Sequence, residues 1–171
     1  MSGPDDARTS PAAAAALLAP DHQSVGEQVL HAFDHPDAYL RERAGRLADR
    51  GIDEPVPGLA WIALVDALAD HRLLAELDWK EDPREVRSQL RGLDSRPSVD
   101  PWVLVVEDDM LLPTDEFLRS CGRHYADVGA ALAVLDIESD CYPVVCLRAA
   151  RVEELTALAR RAGFTAWALG V

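Results

Sequence analysis

Leu73-Leu74-Ala75-Glu76-Leu77-Asp78-Trp79-Lys80-Glu81-Asp82-Pro83 is where this chain changes its hydrophobic period. Upstream, Leu59, Ile62, Leu64, Val65 and Leu68 recur at helical spacing with Trp61 on the flank, which predicts a mostly buried helix over 58–71. From Leu73 the apolar run reads as a strand over 73–79. It ends in a carboxylate, an indole and an ammonium, then turns at Pro83 into a charged helix reaching Leu93, with Val86 and Leu90 inward. Nothing about a soluble core requires Asp-Trp-Lys at a strand end, so the segment marks either a site or a fold signature.

Working outward, Trp102-Val103-Leu104-Val105-Val106 is a continuous apolar run, the pattern of a strand covered on both faces. Pro113-Thr114-Asp115-Glu116 opens a helix to about Tyr125. Residues 130–137 and 142–148 read as strands joined in a hairpin through Glu138-Ser139-Asp140-Cys141. A helix over 151–162 closes at Gly163, and 164–169 supplies a last strand. Toward the N-terminus, a helix begins near Ser24 and a second runs from Pro36 to Arg50, closed by Gly51. Residues 1–22, rich in Pro, Ser, Asp and Ala, are expected to be a disordered tail. The expected fold over 23–171 is a single α/β domain of mixed α+β kind. It has one mixed, largely parallel sheet of about five strands flanked by helices, and an N-terminal helical extension.

A chain of 171 residues with 49% hydrophobic content can bury one real core. Thirty acidic residues against seventeen basic ones give a net charge of −13, and Lys80 is the single lysine among sixteen arginines. Duplex binding needs a concentrated cationic surface to release counterions from phosphates, and no Lys/Arg cluster of that kind appears. Nucleic acid is therefore not an expected partner, whereas an acidic surface attracts basic ones. Cys121, Cys141 and Cys146 are odd in number and lack metal-ligand spacing, which suits a reduced compartment. The alanine run Ala12–Ala16 follows Asp5 and Asp6 instead of a basic segment, so it is not read as a signal peptide. No segment approaches bilayer-spanning length. A cytoplasmic location with no membrane association is expected.

Three stretches together resemble a bacterial domain of unknown function, the group labelled DUF6630. They are Trp61 through Leu68, Leu77-Asp78-Trp79-Lys80-Glu81-Asp82-Pro83 with Val86 and Leu90, and Leu135-Asp136-Ile137-Glu138-Ser139-Asp140-Cys141-Tyr142. The resemblance covers roughly residues 57–169. It implies a fold and no activity, and no functional residue is carried over from it.

If the strands at 73–79, 102–106 and 130–136 run parallel, Asp78, Glu107, Asp108 and Asp136 converge on one sheet edge, where open α/β folds bind ligands. Asp140 and Tyr142 then lie across the hairpin turn. Such carboxylates could hold Mg²⁺ for phosphoryl-type hydrolysis, or simply cap neighbouring turns in solvent. Asp66 with Asp78-Trp79-Lys80 has the residue types of a restriction-endonuclease-like pattern, but Asp66 falls within a helix where that pattern needs a strand. Asp78, Glu81 and Asp82 favour the charged form of Lys80, which reads as an ion-pair partner at the turn. The histidines read as structural or surface residues, and Cys146 as an inert core thiol. Trp79 and Tyr142 sit beside polar turns, where amphipathic rings often anchor partners. Two functions follow as expectations. The first is a non-enzymatic, immunity-type binding module that uses its acidic face, with candidate residues Asp78, Trp79, Lys80, Asp136, Asp140 and Tyr142, to engage a basic protein without any cofactor. The second is a Mg²⁺-dependent hydrolase built on Asp78, Glu107, Asp108 and Asp136.

Overall fold

The computed structural model describes residues 3–171. Among them, four strands form one sheet: β1 (Leu74–Asp78), β2 (Ala130–Leu135), β3 (Cys141–Arg148) and β4 (Ala166–Ala168). Their spatial order is β1-β3-β2-β4, and every neighbouring pair is antiparallel. Leu74 lies opposite Val145 and Asp78 opposite Cys141, while Ala130 lies opposite Arg148 and Val134 opposite Val144. Eight α-helices surround this sheet: α1 (Pro4–Leu18), α2 (Gln23–Asp34), α3 (Pro36–Glu42), α4 (Ala44–Asp49), α5 (Leu59–Asp70), α6 (Pro83–Arg91), α7 (Thr114–Asp127) and α8 (Val152–Arg161).

Alternation along each strand sends side chains to two separate cores. Leu74, Ala133, Leu135 and Val145 join α1, α2, α5 and α8 on one face. Ala75, Leu77, Leu132, Val134 and Val144 join α6 and α7 on the other, with Trp102, Phe117 and Tyr125. A smaller cluster of Tyr39, Leu47, Leu59 and Ala63 fastens α3 and α4 to α5. The chain is thus a mixed α+β fold with a four-stranded antiparallel sheet, in place of the five-stranded and largely parallel one expected from sequence. Burial on both faces is the reason: it removes the polar alternation that ordinarily marks an antiparallel strand.

Two further expectations change. Residues 102–106 do not form a strand. Asp100 accepts a hydrogen bond from the backbone N–H of Trp102 at 3.0 Å, and with Pro101 in first position this capping winds Pro101–Leu104 into a 3-10 turn. Pro101 and Trp102 anchor the segment, Val105 packs partly against the core, and Val103 is left 79% exposed. The second change concerns residues 1–22, expected to be a tail. Within them Pro4–Leu18 is helix α1, with Ala14, Ala15 and Leu18 buried in the main core. An alanine run has strong helix propensity but no amphipathic contrast to reveal it. Its small side chains also admit a close neighbour, and a Cβ at Gly26 of α2 would lie 4.0 Å from the Ala15 methyl carbon. Among the described residues, no helix is long and apolar enough to cross a membrane.

The C-terminal segment crosses α7 at close range. A Cβ added at Gly122 would collide with the carbonyl oxygen of Leu169, whose own N–H bonds Leu132 in β2 at 2.8 Å. Neither backbone can retreat, since one belongs to a helix and the other is pinned to the sheet. Gly122→Ala should therefore destabilise the fold by about 1–3 kcal/mol, the usual cost of overpacking. Urea unfolding with an unchanged m-value measures it, and a loss below about 0.5 kcal/mol would show that the crossing is loose.

Candidate functional site

The edge of the sheet formed by the end of β1 and the start of β3 carries most of the residues singled out in the sequence. β1 and β2 both run antiparallel to β3, so they point the same way. Asp78 at the end of β1, Asp136 just after β2 and Asp140 just before β3 therefore share that edge. Glu107 and Asp108 do not join it as strand ends, because the strand assigned to 102–106 is absent and both residues lie in the 3-10 turn Glu107–Leu111. Among the described residues, no three His, Cys, Asp or Glu side chains are grouped to hold a metal ion.

The carboxylates at this edge organise turns. Asp78 accepts from the Lys80 N–H at 2.9 Å, and Asp136 from the Glu138 N–H at 2.8 Å. Asp82 caps α6 by accepting from the Arg84 N–H at 2.8 Å, with Pro83 at the first helical position. The two turns are tied together, since the Trp79 N–H donates to the Asp140 carbonyl at 3.2 Å. Trp79 is thereby held outward and is 52% exposed. The Lys80 ammonium lies 4.4 Å from its ring centroid, a cation–π contact where an ion pair was expected. Tyr142 is half-buried and packs on the core beside α6 and α7. Glu138 occupies the left-handed region at φ 56°, a strain of about 1–2 kcal/mol for a non-glycine residue, and it fixes the bend of the 136–141 loop.

Behind this loop lies a network that sequence reading did not find. Asp66, 2% exposed within α5, meets the Arg50 guanidinium at 2.5 Å and the Arg46 guanidinium at 3.2 Å. Arg50 also reaches Glu76 of β1 at 2.6 Å, and Arg46 reaches Asp70 at 2.6 Å. Burial alone would lower the Arg50 pKa, but its hydrogen bonds to Asp66 and Glu76 outweigh that and hold it above the ordinary value. A cavity of about 630 Å³ opens against this network, lined by Arg50, Glu76, Glu138, Ser139 and Cys141 among others. The available signal was Asp66 itself, the lone charge in the middle of an apolar helical run.

Other reactive residue types are wired for structure. Ser120 Oγ donates to Asp109 at 2.9 Å and His124 Nε2 lies 3.3 Å from the same carboxylate, so no histidine takes the serine proton. Burial, with Asp109 nearby, pushes the Cys121 thiol up to about 12, and burial does the same to Cys146. Burial, with Glu76 and Asp78 close, also raises Cys141. None of these shifts activates a nucleophile.

Two expectations follow. Asp66→Ala removes the carboxylate that Arg46 and Arg50 share, leaving them Asp70 and Glu76 as partners, and should cost about 3 kcal/mol, near the low end for a broken buried pair. Thermal and urea unfolding measure it, and a loss under about 1 kcal/mol would make the network dispensable. The raised thiols bind protons more tightly folded than unfolded. Their contribution to stability is whole below the unfolded thiol range and is lost as pH rises toward about 12. Urea midpoints should hold steady to about pH 8 and fall above about pH 9. That decline should be shallower in the Cys121→Ala/Cys146→Ala double variant, and an equal slope in both proteins would refute the assignment.

A family model described as "Domain of unknown function (DUF6630)" matches residues 12–170. No curated protein and no solved structure matches the chain.

Proposed function

This chain belongs to the DUF6630 family, and from that premise we propose that it is a non-enzymatic binding module whose acidic sheet edge engages a basic protein. The carrying observation is the exposure of Trp79, fixed by its backbone bond to Asp140 and already covered on one side by the Lys80 cation. An indole that holds one cation is chemically suited to accept an arginine or lysine of a partner on its remaining surface. Asp78, Glu81 and Asp82 flank Trp79 in the chain, Asp140 is bonded to its backbone, and Asp136 and Glu138 lie in the neighbouring loop, against the one ammonium of Lys80. Carboxylates fixed by turn hydrogen bonds are pre-positioned, so little side-chain entropy is lost when a cationic surface docks. The net charge of −13 adds long-range attraction that speeds encounter. An immunity-type role, in which the edge covers the basic cleft of a toxin, is one form of this chemistry.

Affinity capture from the native host at low salt should retain a basic protein on the wild-type chain and lose it at high salt. Trp79→Ala should weaken that complex by about 2 kcal/mol, roughly thirtyfold in Kd. Asp78→Asn with Asp140→Asn should mainly slow association. Recovery of no basic protein at low salt, or equal retention by Trp79→Ala, would overturn the reading.

A further inference from the structure

On the opposite side of α6 the charge pattern of the molecule reverses. Arg84, Arg87 and Arg91 follow one another at three and four residue steps, so they share one helix face. Arg72 and Arg96 approach that face from the loops before β1's first residue and after α6. A cleft of about 320 Å³ adjoins a shallow, open face that carries Arg84 and Arg87, with Arg91 and Gly92 common to both. Their lining holds five of the sixteen arginines and, as the one acid, Asp100. A chain of net charge −13 thus concentrates cations at one place, which no run of basic residues in the sequence announces.

The arginines are unequally committed. Arg72 pairs with Asp94 and Arg91 with Asp100, each at 2.9 Å. Among the described residues, neither Arg84 nor Arg87 pairs with a carboxylate, and both are exposed. The Arg87 guanidinium stands 5.8 Å from the Trp102 ring centroid, so one end of the site has a firm base. Trp102 is in turn held by its indole N–H bond to the Tyr125 hydroxyl at 3.2 Å. Tyr125 is itself buried, so this bond fixes the Trp102 ring from the core side of the cleft.

We propose that the cleft between α6 and residues 96–102 binds a small ligand bearing two linked phosphates. Guanidinium forks match phosphate oxygens bidentately, and several forks on one rigid helix favour more than one phosphate. Arg84 to Arg91 spans about 10 Å of helix, which suits a diphosphate and is short for a polymer. A longer polyanion would run onto Asp78, Glu81 and Asp82 at the start of α6 and be repelled. The volume of the cleft beside the open face is also in the range of small-molecule sites.

The test is thermal shift and calorimetry on the full chain with sodium pyrophosphate, against sulfate and chloride at matched ionic strength, and against a twenty-nucleotide single-stranded RNA. Pyrophosphate should stabilise the fold with half-saturation below about 1 mM. Arg87→Gln and Arg84→Gln, both at exposed positions outside any ion pair, should keep the circular dichroism spectrum and raise half-saturation about tenfold. Equal stabilisation by sulfate would reduce the cleft to generic charge and overturn the proposal. So would unchanged pyrophosphate binding in both variants, or tighter binding of the RNA than of pyrophosphate.

Discussion

A single carboxylate inside an otherwise apolar helix constrains much of the surrounding structure. α5 is buried on nearly every side, so Asp66 cannot be left to solvent and must be matched by charge and hydrogen bonds. Arg46 and Arg50 supply the match, and in doing so they fix where α4 lies against α5. Arg50 then has a second fork free for Glu76, which connects the helical layer to the first strand. An aspartate in an apolar run therefore determines the position of a short helix, the orientation of a strand end and one wall of the cavity behind the 136–141 loop. Trp61 makes the complementary link, stacking on Phe164 at 4.9 Å and donating to the Asp136 carbonyl at 3.1 Å.

Much of this was legible in the sequence where local chemistry and tertiary packing agree. The helix of Leu59–Asp70 shows in its apolar spacing, and the strand ending at Asp78, the Pro83 helix start and the hairpin around Ser139 each carry their own turn or cap chemistry. The misreadings share a different origin. Trp102 to Val106 have the composition of a core strand, yet the Asp100 cap winds Pro101–Leu104 into a turn and the extended Val105 and Val106 pair with no strand. Residues 1–22 have the Pro, Ser, Asp and Ala content of a tail, yet the small methyl groups of the alanine run are what let α1 settle against α2. Apolar content measures how a segment could be buried. It does not specify whether a neighbour is present to bury it.

The site was legible in the same uneven way. Asp78, Asp136 and Asp140 do share an edge, although through an intervening antiparallel β3 instead of a parallel sheet. Topology gave the same convergence by another route, because two strands flanking a common antiparallel neighbour are parallel to each other. The arginine cleft was hidden for a simpler reason. Its members are spread over Arg72 to Arg96, and only the helical period of α6 and the return of the 96–102 loop bring them together.

One feature of the packing bears on how the chain is made. α1 lies against α8, and β4 completes the sheet beside β2 only after α8 has formed. The earliest helix therefore waits for the latest elements, and the Asp136 N–H finds its acceptor, the Thr165 carbonyl, only then. Until residues 152–161 fold back, α2 and α5 can cover α1 but its α8 side stays bare. Contacts this far apart in sequence carry a large loop-closure cost, which places the docking of α8 on α1 late in folding.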